Sequence, residues 1–177
     1  MAIQIGAKPD SGFDDPIGML KDCHRRIERF LHILCVVAER AAGRGLTDEE
    51  TAGVQAALRY FREGGQRHTA DEEESLFPRL RAETNCEDLQ EIGSLEEDHR
   101  CASELHATVE TLYAAWISAR LLSPEEGQRL RASTEQLKHL YEEHIQVEEK
   151  IVFPHAAQTL DSRTIAAIGQ EFRARRG

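Results

Sequence analysis

Apolar residues recur every three or four positions along four long stretches of the chain, a spacing that predicts four amphipathic helices. In the first stretch the apolar stripe consists of Leu20, Ile27, Leu31 and Leu34. The other stripes run over 58–76, 95–116 and 130–151. The last of them ends at Ile151, which is expected to face the core. Because the linkers between these long helices are short, the fold class is predicted as an all-α, antiparallel up-down four-helix bundle.

Signals for helix ends divide the rest of the chain. The segments LTDEE, starting at Leu46, and LSPEE, starting at Leu122, each place Thr or Ser before acidic residues, which is typical of a helix start. Asp161 has the same role before a short C-terminal helix. The predicted organisation is an irregular N-terminal arm over 1–15, the bundle over 16–160, and the C-terminal helix with a basic tail over 161–177. The arginines of that tail are expected to be solvated.

The chain contains an internal repeat of about 75 residues. IGMLKDCHR, which starts at Ile17, matches IGSLEEDHR, which starts at Ile92. HTADEEESLFP, which starts at His68, matches HIQVEEKIVFP, which starts at His144. These blocks and the two helix starts share almost the same offset, so the bundle is predicted to consist of two duplicated αα-hairpins.

A histidine replaces an apolar residue on each of the four stripes. The four histidines are His24, His68, His99 and His144. Glu72 and Glu148 each follow a histidine by four residues, which places both side chains on one helix face. A buried carboxylate without a partner costs several kcal/mol, so these six side chains can share one core if a cation lies among them. A single core histidine is more often simply hydrogen-bonded, but the repetition on four helices favours a metal site.

The ligand types narrow the choice of metal. Imidazole and carboxylate ligands suit iron or manganese and also admit zinc. Six ligands exceed what one tetrahedral zinc ion takes, and two carboxylates shared between sites suit a metal pair. The only cysteine beside them is Cys23, which precedes His24 and is therefore expected to point away around the helix.

With these motifs the chain resembles the hemerythrin-like proteins, also called HHE cation-binding domains, over roughly residues 16–160. The resemblance rests on a lone His in helices one and three and H-x-x-x-E in helices two and four. It implies a non-haem centre of two iron ions with oxo or hydroxo and carboxylate bridges. The implied ligands are His24, His68, Glu72, His99, His144 and Glu148, with the two glutamates as the bridges. Oxygen, peroxide or nitric oxide is the implied small-molecule ligand.

Two departures separate this chain from the oxygen-carrying members of that family. Ser103 stands where those proteins have a second histidine on the third helix. Glu148 follows His144 by four residues, where those proteins have an aspartate at five. The site is therefore expected to be more symmetric, and the case for reversible oxygen carriage is weaker.

Other polar residues lie close to the predicted ligands in sequence. Tyr141 precedes His144 by three residues and faces the site as a hydrogen-bond donor, a phenolate ligand or a packed core ring; its duplicate position is Gly65. His106 is expected in the core or beside the ligands, and Glu28 is expected in solvent. Glu73 and Glu149 are adjacent in sequence to the predicted bridging acids and are expected to face outward.

Composition excludes several classes of partner. The chain has 32 acidic and 22 basic residues and a formal net charge of -10, which disfavours binding to nucleic acid. No stretch is apolar enough to span a membrane, and no secretory signal is evident. The four cysteines have no C-x-x-C spacing and are expected to be free thiols, so a cytoplasmic location is predicted.

Three functions remain open at this level. The first is a di-iron protein that binds oxygen, peroxide or nitric oxide for sensing, storage or detoxification. The second is a peroxidase- or catalase-like enzyme at the same centre, with Tyr141 as a redox or proton-donating group. The third is a structural or interaction module that a metal stabilises. The oligomeric state is left open.

Overall fold

The computed structural model describes residues 10–40, 43–83 and 90–177, and it contains five helical rods there, labelled α1 to α5. α1 spans Pro16–Arg40, α3 spans Gln90–Ala119 and α5 spans Ser162–Arg176. α2 runs continuously through Asp48–Tyr60, Phe61–Gly65, Gln66–Asp71, Glu72–Leu76 and Phe77–Glu83. α4 runs through Pro124–Val147, Glu148–Val152 and Phe153–Thr159. Residues 1–9 of the predicted arm and Cys86 lie outside the described residues.

The first four helices form a bundle. α1 contacts α2 and α4, α3 contacts α4 and α2, and the C-terminal segments of α2 and α4 also contact each other. α5 lies across α1 and α2. The described ranges contain no strand, so the predicted all-α bundle with a short C-terminal helix is confirmed. None of the described helices is long and apolar enough to cross a membrane.

Capping boxes begin α2 and α4 at the two predicted starts. The Glu50 backbone N–H donates to Thr47 Oγ1 over 3.2 Å, and the Thr47 N–H donates to the Glu50 carboxylate over 2.9 Å. Ser123 and Glu126 make the same reciprocal pair at 3.2 and 2.8 Å. Asp161 Oδ1 accepts from the Thr164 N–H over 2.8 Å and begins α5. These bonds satisfy backbone donors that the first helical turn leaves free.

Two separate apolar clusters fill the bundle, one towards each end. The first contains Ile27, Leu58, Phe61, Ala102 and Ile145 among its members. The second contains Leu20, Leu76, Leu95, Val152 and Phe153 among its members. On every bundle helix the predicted metal ligands lie between residues of the first cluster and residues of the second. The core is therefore interrupted at mid-height by one polar layer.

Three π-helical turns interrupt the regular winding of α2 and α4. They occupy Phe61–Gly65, Glu72–Leu76 and Glu148–Val152. A π turn holds more residues than an α turn, so residues in it and after it rotate to a different face. The prediction that Ile151 faces the core was wrong for this reason. Ile151 is 50% exposed, and Val152 takes the buried position at 4%.

The C-terminal helix carries a charge network that the sequence did not predict. Asp71 is fully buried on α2, and its carboxylate accepts from Arg175 Nη1 over 2.9 Å and from Arg176 Nη2 over 2.5 Å. The expectation that these two arginines are solvated was therefore wrong, because a buried carboxylate attracts them.

The prediction that the cysteines are free thiols is confirmed for Cys23, Cys35 and Cys101.

Two helical glycines give opposite predictions for substitution by alanine. A Cβ at Gly169 on α5 would lie 1.9 Å from the carbonyl oxygen of Phe13, which is backbone and cannot rotate away. A Cβ at Gly53 on α2 would lie 3.5 Å from Ile33, which is ordinary contact. We expect Gly169→Ala to lower the free energy of unfolding by about 1–3 kcal/mol and Gly53→Ala to raise it by about 0.5–1 kcal/mol. Urea unfolding checks both values, and shifts of equal sign would contradict this packing.

Candidate metal centre

Six side chains from four helices meet in the polar layer between the two apolar clusters. They are His24 from α1, His68 and Glu72 from α2, His99 from α3, and His144 and Glu148 from α4. Each of them exposes 7% or less of its side chain. The structure thus brings together every residue that the sequence proposed as a ligand.

Each glutamate lies between a histidine of its own hairpin and a histidine of the other hairpin. Glu148 Oε2 is 3.0 Å from His24 Nε2 and 3.4 Å from His144 Nε2. Glu72 Oε1 is 3.3 Å from His68 Nε2, and its Oε2 is 3.3 Å from His99 Nε2. Both carboxylates therefore extend from one half of the duplicated chain to the other.

Eight buried polar atoms of this layer have no hydrogen-bond partner among the described residues. Buried nitrogen or oxygen atoms without one are His24 Nε2, His68 Nδ1, His99 Nε2, His144 Nε2 and all four carboxylate oxygens of Glu72 and Glu148. Unsatisfied buried polar groups are rare in folded proteins and costly. Two groups of potential ligand atoms, each within 4.8 Å, share Glu72: His24, His68, Glu72 and Glu148 form one, and Glu72, His99 and His144 form the other. The donor set therefore fits two cations.

Comparison with known proteins agrees with this geometry. The family model described as the hemerythrin HHE cation binding domain matches residues 15–156. The chain belongs to this family. An uncharacterized protein of Haemophilus influenzae is similar to it, with 27% identity over 165 residues that cover 93% of this chain and 91% of the relative. Family membership and the two buried clusters together make this hemerythrin-like chain a metal-binding protein.

The hemerythrin-like centre has an outer layer of carboxylates that the sequence analysis missed. Glu149 Oε1 lies 2.9 Å from His24 Nδ1, and Glu73 Oε1 lies 2.8 Å from His99 Nδ1. Both glutamates are partly exposed, Glu149 at 41% and Glu73 at 36%, as expected of outward positions, but each also reaches sideways to a histidine on the adjacent helix. Such a carboxylate fixes the tautomer and the orientation of a ligating imidazole. The duplicated Glu-Glu pair in H-x-x-x-E-E is the signal that could have revealed it.

The two remaining histidines have unequal support. His144 Nδ1 lies 3.3 Å from Asp98 Oδ2. The position equivalent to Asp98 in the first hairpin is Cys23, and His68 Nδ1 has no hydrogen-bond partner among the described residues. The repeat is thus symmetric in its six candidate ligands and asymmetric in the residues around them.

The ligand pKa values reflect the crowding of charge at the centre. Burial and the charge of Glu148 raise the pKa of Glu72 well above its usual value. Burial also acts to raise the pKa of Glu148, but the His144 and His24 rings outweigh it and lower that pKa overall. Burial and the neighbouring His24 lower the pKa of His68, which favours the neutral imidazole that a metal requires.

A cavity of about 440 Å³ reaches the centre from one side and is lined by Gly65, His99, Ser103, His106 and Tyr141, among others. Tyr141 Oη lies 3.1 Å from His106 Nε2. Burial raises the pKa of Tyr141 and lowers that of His106 to about 4, so the pair is a neutral phenol and a neutral imidazole. This pairing favours Tyr141 as a hydrogen-bonding group over a phenolate ligand.

Glu28 is exposed to solvent, as the sequence predicted.

The outer carboxylates generate a prediction for metal affinity. We expect Glu149→Ala to weaken metal binding by about 10–100-fold, because His24 would lose the group that orients its imidazole. Competition with a chelator, followed by metal analysis, measures the change. Glu143→Ala is the matched control, since Glu143 also lies on α4 but is 72% exposed and pairs with His139. Equal resistance to the chelator in both variants would contradict an orienting role for Glu149.

Proposed function

We propose that this protein holds two iron ions between its four helices and binds a small ligand beside them for sensing, storage or detoxification. The ligand is oxygen, peroxide or nitric oxide. The observation that carries the proposal is the pair of buried donor clusters that share Glu72. An iron pair, when bound, supplies open coordination positions at which such a ligand can bind.

The chemistry of the donor set supports iron. His24, His68, Glu72, His99, His144 and Glu148 would hold the ions, with Glu72 and Glu148 shared between them. Imidazole nitrogen and carboxylate oxygen suit iron and manganese, whereas thiolate would favour softer metals. No cysteine among the described residues belongs to either donor cluster. If the purified protein contains manganese or zinc, that metal takes the place of iron in the proposed pair.

The cavity beside the centre supports a small diffusible ligand. Its apolar wall includes Leu58, Phe61 and Ala102, and it reaches His99 and Tyr141. Phe61 packs against His106 with ring centroids 4.3 Å apart. These residues give the cavity one apolar side, and the Tyr141 hydroxyl lies at the same cavity, close to the position where a ligand would lie.

A second candidate function is a peroxidase- or catalase-like enzyme. The hydrogen bond between Tyr141 and His106 favours it, because a phenol backed by an imidazole can deliver a proton and recover one. In this candidate the same cavity admits peroxide, and Tyr141 acts on the bound ligand instead of only stabilising it.

The first test of the proposal is metal content. We expect iron-loaded wild-type protein to hold about two iron ions per chain and to absorb in the near ultraviolet through charge transfer. Glu72→Ala and Glu148→Ala should each lose at least one ion and bleach that absorption, because each glutamate contacts both halves of the centre. Glu143→Ala should retain both properties. Unchanged metal content in the Glu72 and Glu148 variants would contradict a shared pair.

The second test separates binding from turnover in the iron-loaded protein. We expect stoichiometric spectral changes on titration with oxygen, peroxide or nitric oxide if the protein is a binder, and sustained peroxide consumption if it is an enzyme. Tyr141→Phe should reduce any turnover by about 10²-fold or more, the typical contribution of a general acid, while metal content stays the same. No response to any of the three ligands would contradict both candidate functions.

A further inference from the structure

A second open cavity, of about 450 Å³, lies where α1, α2 and α5 meet, and four arginines line it. Arg26 comes from α1, Arg59 and Arg67 come from α2, and Arg176 comes from α5. Four guanidinium groups from three helices therefore face one space in a chain whose formal net charge is -10. The cavity is therefore a local concentration of positive charge on a molecule that is negatively charged overall.

Nearby carboxylates neutralise only part of this charge. Glu63 lines the same cavity and lies 3.7 Å from Arg67. Arg26 pairs with Asp10, and Arg176 shares the Asp71 carboxylate with Arg175. In the described ranges Arg59 forms no ion pair. Arg175 in turn also pairs with Glu74, so five guanidinium groups face four carboxylates, which leaves one excess positive charge at the cavity.

Two of the arginines are held in place before any ligand arrives. Arg176 donates to the Phe172 carbonyl over 2.8 Å and lies over the Phe172 ring, 5.6 Å from its centroid. Arg26 donates to the Cys23 sulfur over 3.7 Å. Arg59 and Arg67 are exposed and can adjust their side chains. Preorganised donors lower the entropy cost of binding, and adjustable ones complete the contacts.

The aromatic ring in this cavity is already covered. Tyr60 stacks on Phe30 with centroids 4.7 Å apart, and its hydroxyl donates to the Cys23 carbonyl over 3.2 Å. A Cβ at Gly64 would lie 2.7 Å from the Tyr60 ring, so the backbone there is close against it. With Phe30 on one face and the Gly64 backbone close by, the Tyr60 ring offers little surface for stacking. The cavity therefore recognises a ligand mainly through charge.

We propose that this cavity binds a small oxyanion with more than one negative charge, of the phosphate class. The ligand is either free phosphate or the phosphate group of a small ester. The guanidinium group presents a planar fork of donors that matches phosphate oxygens, and donors from three helices suit a tetrahedral group. The cavity volume lies within the usual range of about 300–1,000 Å³ for small-molecule sites.

Calorimetric titration of the iron-loaded full chain with inorganic phosphate, and separately with glycerol phosphate, tests the proposal. We expect saturable binding of at least one of them, and the tighter one identifies the source of the phosphate group. Arg59→Ala should weaken it by about tenfold, as expected for the loss of one charge-assisted hydrogen bond. Arg129→Ala should leave it unchanged, since Arg129 is an exposed arginine on α4 that does not line the cavity.

Phosphate can also bind to iron, so the near-ultraviolet absorption is recorded in the same titration. Binding that Arg59→Ala leaves unchanged, and that alters this absorption, would place phosphate on the metals and overturn the proposal. The absence of saturable binding in the wild type would overturn it as well. Arg67→Ala provides an independent variant, and it should weaken binding in the same direction as Arg59→Ala.

Discussion

Burial of two carboxylates among four imidazoles is the constraint on which the rest of this structure depends. The layer lies between two apolar clusters, and the carboxylate oxygens of Glu72 and Glu148 have no hydrogen-bond partner in the part of the chain that the structure describes. Removal of an ionised carboxylate from water costs several kcal/mol unless another charge compensates it. The raised pKa of Glu72 favours a proton on that carboxylate, and a bound cation would offset the charge of both glutamates. Metal binding would therefore add to the stability of the fold.

The duplication explains how one chain builds such a layer. Glu72 of the first hairpin meets His99 of the second, and Glu148 of the second meets His24 of the first. The outer carboxylates repeat this exchange, with Glu149 on His24 and Glu73 on His99. Neither hairpin alone contains all the glutamate–histidine contacts of the centre. The centre is thus a property of the interface between the two halves.

The chain departs from its own symmetry around the ligands, and each departure gives one side of the bundle different chemistry. Tyr141 in the second half corresponds to Gly65 in the first, and both line the cavity that reaches His99. Cys23 in the first half corresponds to Asp98 in the second, and it lies at the arginine-lined cavity. The duplicated core supplies the six candidate ligands, while the unequal flanks line two distinct cavities.

The sequence by itself determined the bundle, its capped helix starts and the six residues that meet at the centre, because helical spacing and an internal repeat are both visible in the order of the residues. It did not determine which neighbour a side chain reaches. Glu149 and Glu73 each contact a histidine on an adjacent helix. Asp71 accepts hydrogen bonds from Arg175 and Arg176, which lie about 100 positions further along the chain. In the π turn at Glu148–Val152, Val152 is buried in the core where the sequence pattern predicted Ile151. Only the tertiary structure decided these features, because they depend on distances between helices and on local changes in winding.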